Sequence, residues 1–162
     1  MESRKLKKYY ETNIIWLTGL SGVGKTTLAR LLKNKLTIKK KKCLLVDGDN
    51  FRKITNQHSF SKKNINKNNL NLIKHCKQNL SKYDFIIVSA ISPLKQTRKQ
   101  AKKIFGICYK EIYIYAKMST LVKRDTKGYY ELAQKGEFKN LIGFKSAVKY
   151  EFSKYKVLKI NK

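Results

Sequence analysis

A chain of 162 residues, 41% of them hydrophobic, is long enough to bury one core, and one domain over 1–162 is expected. No stretch approaches the roughly 18 apolar residues that a membrane-crossing helix needs, and no secretory h-region follows the basic start. A cytoplasmic protein with no membrane partner is therefore expected. The formal net charge of +28 comes from 33 Lys against 5 Arg, spread along the whole chain without a basic stripe interleaved with aromatics; it reads as compositional bias, and no nucleic-acid partner is expected.

In chain order, residues 1–12 form a basic N-terminal arm, followed by the apolar run "IIWLT" (Ile14–Thr18) and the glycine-rich "GLSGVGKT" (Gly19–Thr26). A helix is predicted over Thr26–Leu36 and a second strand at "CLLV" (Cys43–Val46), which runs into "DGDNFR". Further helices are predicted over Asn64–Leu80, over Leu94–Phe105 and, shorter, from Ser119. Between and after them lie "FIIVSA" (Phe85–Ala90), "IYIYA" (Ile112–Ala116) and "VLKI" (Val157–Ile160). The five apolar runs are short, nearly continuous and rich in β-branched or aromatic residues, as strands buried on both faces of a parallel sheet require. Strands alternating with helices predict an α/β fold: a five-stranded parallel sheet with helices on both faces. Ligands of such folds lie beyond the carboxyl ends of the strands. Cys43, Cys76 and Cys108 match no disulfide or metal spacing, and His58 and His75 lie near no cysteine pair, so the thiols read as structural.

"GLSGVGKT" has the spacing G-x-x-x-x-G-K-[ST], with a strand before it and a helix after it, which identifies a P-loop. Gly19, Gly22 and Gly24, with Ser21 among them, let backbone N–H groups turn inward around phosphate oxygens. The next helix adds the positive end of its dipole. Lys25 is expected to reach the β- and γ-phosphates of ATP, with Thr27 beside it, and the Thr26 hydroxyl to ligate Mg²⁺. Asp47 and Asp49, at the end of the second strand, face the same place. One carboxylate can orient the acceptor hydroxyl or take its proton, and the other can hold a water on Mg²⁺. No Asp follows "FIIVSA", where GTPases and many ATPases carry their metal-binding acid, which favours a small-molecule kinase. The Arg52 fork suits an acceptor phosphate.

Five pieces together, "WLTGLSGVGKTT", "DGDNFR", "FS" at Phe60–Ser61 with Asn68 after it, "SAISP" (Ser89–Pro93) and "RDTKGYYELAQKGEFKN" (Arg124–Asn140), resemble the adenylyl-sulfate (APS) kinase family over about Ile14 to Gly143. The resemblance implies a P-loop kinase that moves the γ-phosphoryl group of ATP, with Mg²⁺, to the ribose 3′-hydroxyl of a nucleotide bearing a modified phosphate. It implies Asp49 as the base or orienting carboxylate with Asp47 in support, and Lys127 near the transferring phosphate. Arg124 falls on the ATP side. Arg52, Asn68, Phe60 and the backbone of Ile91 and Ser92 fall in the acceptor pocket, with Phe60 stacked on the base. Residues of about 124–144 become a lid that excludes water. A homodimer is compatible with the resemblance.

Two positions depart from the family. Where its members usually read F-S-x-x-D-R-x-E-N, this chain has "FSKKNINKN", which puts Ile65 at the place of an Arg that binds the acceptor's phosphate. Where they read K-N-F-T-G, this chain has "KNLIG", which puts Leu141 at the place of a Phe that closes an aromatic sandwich on adenine. Both changes fall on the acceptor side, and they point to the family's cytidine diphosphoramidate kinase branch, which serves phosphoramidate decoration of bacterial capsular polysaccharide. The alternatives are an ordinary APS kinase and, from another class, a basic nucleic-acid-binding P-loop protein.

Overall fold

The computed structural model describes residues 12–55, 61–153 and 157–159. Five strands, β1 (Asn13–Thr18), β2 (Cys43–Asp47), β3 (Phe85–Ser89), β4 (Tyr109–Tyr115) and β5 (Val157–Lys159), form one parallel sheet in the order β2-β3-β1-β4-β5. The helices are α1 (Lys25–Ile38), α2 (Gly48–Ile54), α3 (Lys62–Gln78), α4 (Lys95–Phe105), α5 (Met118–Arg124) and α6 (Tyr129–Gln134). Among the described residues no helix is long and apolar enough to cross a membrane.

Successive strand residues face opposite sides of a sheet, and two of the interior strands, β1 and β3, show why their runs are largely apolar. Ile14 and Trp16 of β1, with Ile86 and Val88 of β3, enter one core with Leu72, Ile73 and Cys76 of α3 and Ala101 and Phe105 of α4. The intervening Leu17 and Ile87 enter the other core with Ala29 of α1, Leu121 of α5 and Tyr130 and Ala133 of α6. Helices thus cover both faces, as the sequence implies. The three cysteines form no disulfide with one another, and two of them are buried.

Two short helices go beyond the sequence reading. The stretch "DGDNFR" after β2 enters α2 at once, because Asp47 caps it: its Oδ1 accepts from the backbone N–H of Asp49 (3.0 Å) and of Asn50 (3.2 Å). Gly48 makes the close approach possible, since a Cβ there would lie 2.9 Å from the Ala90 Cβ. The second, α6, lies within the stretch expected to be a lid and starts after Gly128, a left-handed residue at φ 67°. Strand β4 also begins three residues before the predicted "IYIYA", at Tyr109.

Candidate active site

Thr18 ends the central strand, and the chain must turn tightly beneath β4 to enter α1. A Cβ on Gly19 would sit 2.3 Å from the Ile114 carbonyl oxygen, and its φ is 145°, so glycine is required. Gly22 and Gly24 also adopt positive φ, 73° and 95°, which turns the loop around an open cavity of about 470 Å³. Ser21, Gly22, Gly24, Lys25, Thr26 and Thr27 line that cavity, and Arg124 and Lys127 close its far side. Within the loop the Lys25 ammonium donates to the Leu20 carbonyl at 2.7 Å. Burial pushes its pKa down to about 8 against the pull of Asp49, with Lys127 adding to the fall and Asp47 opposing it.

The Thr26 hydroxyl donates to Asp47 Oδ2 at 2.8 Å and lies 3.1 Å from Ser89 Oγ. Asp47 therefore has two duties: one oxygen caps α2 and the other faces the phosphate loop. This hydroxyl and carboxylate suit a hard cation such as Mg²⁺, which takes one or two protein oxygens and completes its shell with phosphate and water. Among the described residues no cluster of three His, Cys, Asp or Glu side chains offers a full protein cage, so any cation here would share its shell with a ligand.

Asp49, two residues further on in the first turn of α2, stands at the junction of three cavities. It lines the large one, a second of about 230 Å³ and a small one of about 30 Å³. Its Oδ2 accepts from Lys127 Nζ. Partial burial disfavours the charged carboxylate, but the Lys127 hydrogen bond and the charges of Lys127, Lys25 and Arg52 outweigh it and hold the pKa below the usual value. Burial likewise opposes the Lys127 charge, and the Asp49 contact reverses this to a net rise. Arg52 is lowered by burial, which the nearby Asp49 charge resists.

The second cavity brings Arg52, Ile91 and Leu141 together with two rings that sequence reasoning did not assign, Tyr129 and Phe138. They stack with centroids 5.1 Å apart at 18°, and Lys127 Nζ lies 5.7 Å from the Tyr129 centroid. Their signal was present in "KGYYELAQKGEF", where the aromatic residues had only been counted as lid. Tyr130 next door ties α6 to the phosphate loop by donating to the Ser21 carbonyl at 2.9 Å. The small cavity gathers Arg52, Ile65, Asn68 and Ser92. The buried Asn68 Oδ1 has no hydrogen-bond partner, a costly state that a bound polar group would relieve. Phe60 lies outside the described residues, as does most of the basic arm.

Neither unusual position is a surface contact. Ile65, 1% exposed, packs with Leu94, Ile142 and Val148, and Ile91 covers that group. Leu141, 4% exposed, is turned into the core of α1, α5 and α6 even as it borders the second cavity.

The family model for adenylylsulphate kinase matches residues 11–160. A probable adenylyl-sulfate kinase of Pyrococcus abyssi is 41% identical over 131 residues, 80% of this chain and 75% of the relative. A cytidine diphosphoramidate kinase of Campylobacter jejuni is 37% identical over 145 residues, 87% of this chain and 80% of the relative. Among solved structures, the APS kinase of Mycobacterium tuberculosis in complex with AMPPNP and APS superposes with a TM-score of 0.81 at 27% identity, covering 94% of this chain and 90% of that one.

Proposed function

Because the chain belongs to the adenylylsulphate kinase family, and so is an APS kinase-like, ATP-dependent phosphotransferase acting on a hydroxyl, we propose that its acceptor is the ribose 3′-hydroxyl of cytidine diphosphoramidate. The observation that carries the kinase chemistry is the position of Asp49, shared by the phosphate-loop cavity and the two cavities beside it.

In this reading the loop amides and Lys25 bind the β- and γ-phosphates, with Arg124 beside the rest of ATP. Asp49 accepts a hydrogen bond from the acceptor hydroxyl and aligns its oxygen with the γ-phosphorus. The new O–P bond forms as the bond to the β-phosphate oxygen breaks, and the hydroxyl proton passes to Asp49. Since its neighbouring cations hold the Asp49 pKa low, orientation is its main contribution and the proton follows late, which suits the loose transition state of phosphoryl transfer. Lys127, already on Asp49, is placed to follow the moving charge. Thr26 directly, and Asp47 through water, would hold Mg²⁺, which supplies neutralisation of phosphate charge when bound.

Three observations support the cytidine acceptor. The wall at Ile65 is apolar where the family places a guanidinium. A phosphoramidate terminus exchanges one oxygen acceptor for an N–H donor, so it needs that guanidinium less, and the unpartnered Asn68 oxygen suits the donor. The cavity of about 230 Å³ that would take the base is lined by Phe138 and Tyr129, while Leu141 offers no ring. The second reading, APS as acceptor, is favoured by the relative that shares 41% identity. ATP-dependent phosphorylation of cytidine diphosphoramidate and of APS, measured side by side, separates the two. A higher kcat/KM for APS overturns the cytidine assignment and leaves the kinase assignment standing.

A further inference from the structure

The geometry points to Arg98, a residue outside every cavity of the site, as the positioning residue that sets the wall of the acceptor pocket. This rests on the acceptor cavities as assigned above but not on which nucleotide fills them. Arg98 lies on α4, is 3% exposed, and gives four of its five N–H donors to fixed partners. Nε pairs with Glu111 Oε1 of β4 at 3.1 Å. Nη1 donates to the carbonyls of Ser92 (2.6 Å) and Pro93 (3.0 Å), and Nη2 to that of Glu151 (2.5 Å). The Tyr150 ring covers the guanidinium, its centroid 5.2 Å from Cζ. One cation thus joins the loop after β3 to the segment around Tyr150, with Glu111 as its anchor; the other Glu111 oxygen accepts from the Tyr109 hydroxyl at 3.2 Å.

The loop so held is the acceptor wall. Ile91 borders all three cavities, while Ser92 and Pro93 border only the small one beside Asn68 and Arg52. Ser92 is a non-glycine residue at φ 44°, a conformation that persists only where its surroundings impose it. Its hydroxyl accepts from Trp16 Nε1 at 3.0 Å and donates to Asn69 Oδ1 at 2.9 Å. A second tie runs in parallel: Thr18 donates to the Ile91 carbonyl at 2.5 Å, so its single proton is used and the Tyr150 hydroxyl must be the donor in their 2.7 Å contact. Tyr150 and Glu151 are therefore bound to the same loop from both ends, and the Glu151 N–H closes the link on the Pro93 carbonyl at 3.0 Å.

Stability alone does not call for this arrangement, because well-packed apolar residues often replace a buried ion pair without loss. What an apolar pair cannot do is bind three carbonyl groups at fixed angles. Arg98→Lys keeps a cation for Glu111 and loses the fork. Displacing a binding wall by about 1 Å lowers kcat/KM on the order of 10²-fold, and that loss is expected for the acceptor with a much smaller change in the KM for ATP, since Ser92 and Pro93, whose carbonyls Arg98 holds, do not border the ATP-side cavity and Ile91, which does, is held separately by Thr18.

The assay uses whichever of the two acceptors the wild type turns over, so failure of the cytidine reading leaves it intact. The double variant Arg98→Met/Glu111→Leu guards against an unpaired buried charge: it is expected to unfold in one cooperative transition, at a Tm lowered by the carbonyls that lose their donor, and still to show the acceptor loss. Trp16 is the chain's single tryptophan and donates to Ser92, so its fluorescence emission gives a readout independent of turnover and is expected to shift in both variants. A double variant with wild-type Trp16 emission and wild-type acceptor KM overturns the proposal, and so does a loss that falls equally on ATP and acceptor.

Discussion

Replacing Asp49 by Asn is expected to separate catalysis from stability. The ion pair that it removes is half in solvent, with side-chain exposures of 41% for Lys127 and 53% for Asp49. Exposed pairs of this kind contribute about 0.2–1 kcal/mol. For a chain of this size 1 kcal/mol moves Tm by about 2–4 °C, so Tm is expected to fall by no more than about 4 °C. Asn keeps the shape and one acceptor oxygen but can neither carry the charge that holds Lys127 nor take the acceptor's proton. A positioned group that accepts a proton contributes about 10²–10⁴ in rate, or about 2.7–5.5 kcal/mol of barrier at 1.36 kcal/mol per tenfold. ADP formation at saturating ATP and acceptor measures kcat, and thermal melting of the same preparation supplies the control. A variant with unchanged Tm and a kcat within about tenfold of wild type would refute the role of Asp49; the chemistry would then pass to Asp47.

The remaining expectations use the same preparation. Phe138→Ala removes a ring that lines the second cavity, and with base stacking contributing about 1–3 kcal/mol the acceptor KM should rise about 5- to 150-fold; an equal rise in the KM for ATP would place the ring elsewhere. Gly19→Ala drives a Cβ to 2.3 Å from a backbone oxygen at φ 145°, so calorimetric titration with a non-hydrolysable ATP analogue should show binding lost, whereas wild-type affinity would mean that the loop tolerates the change. Lys25 has a pKa lowered to about 8 in the free protein, and a bound polyphosphate raises it, so binding takes up a proton at pH 8–9 and affinity falls as pH rises through 8; titrations in buffers of different ionisation enthalpy read the uptake, and a flat profile across this window contradicts it. Leu141→Phe forces a ring into a core position that is 4% exposed, at a cost of about 1–3 kcal/mol, so Tm should drop; tighter acceptor binding at unchanged Tm would show that the ring had reached the cavity instead.

What the sequence disclosed follows from how far apart the cooperating residues lie. β1 and β3 were legible because both of their faces are buried, which makes all but their end positions apolar: Ile14 and Trp16 serve one core, Leu17 the other. The first half of β4 was hidden because Lys110 is exposed and Glu111 is polar, and the partner that makes Glu111 acceptable in a buried strand, Arg98, is 13 residues away. The phosphate loop and the acidic pair could be read from local spacing alone, although α2 could not, since its start depends on which way the Asp47 carboxylate turns. Phe138 and Tyr129 escaped for a related reason. A pattern of residue types says that rings are present in a stretch, but only packing says which of them turn to a cavity and which, like Tyr130, turn inward to Ser21.

The same distinction changes the meaning of the two unusual positions. An Ile for an Arg, or a Leu for a Phe, reads in sequence as a contact removed from a pocket. In the fold both are interior, and they meet through neighbours: Ile65 packs on Ile142, and Leu141, the residue before it, is turned into the separate core of α1, α5 and α6. The short stretch 141–142 is held from both sides, so the shape of the acceptor wall depends on two cores at once. Closely packed interiors do not accept a new volume at one point without shifting its neighbours. A substitution at 65, 141 or 142 is therefore expected to disturb the other two, because the three side chains are tied through the packing of one short stretch.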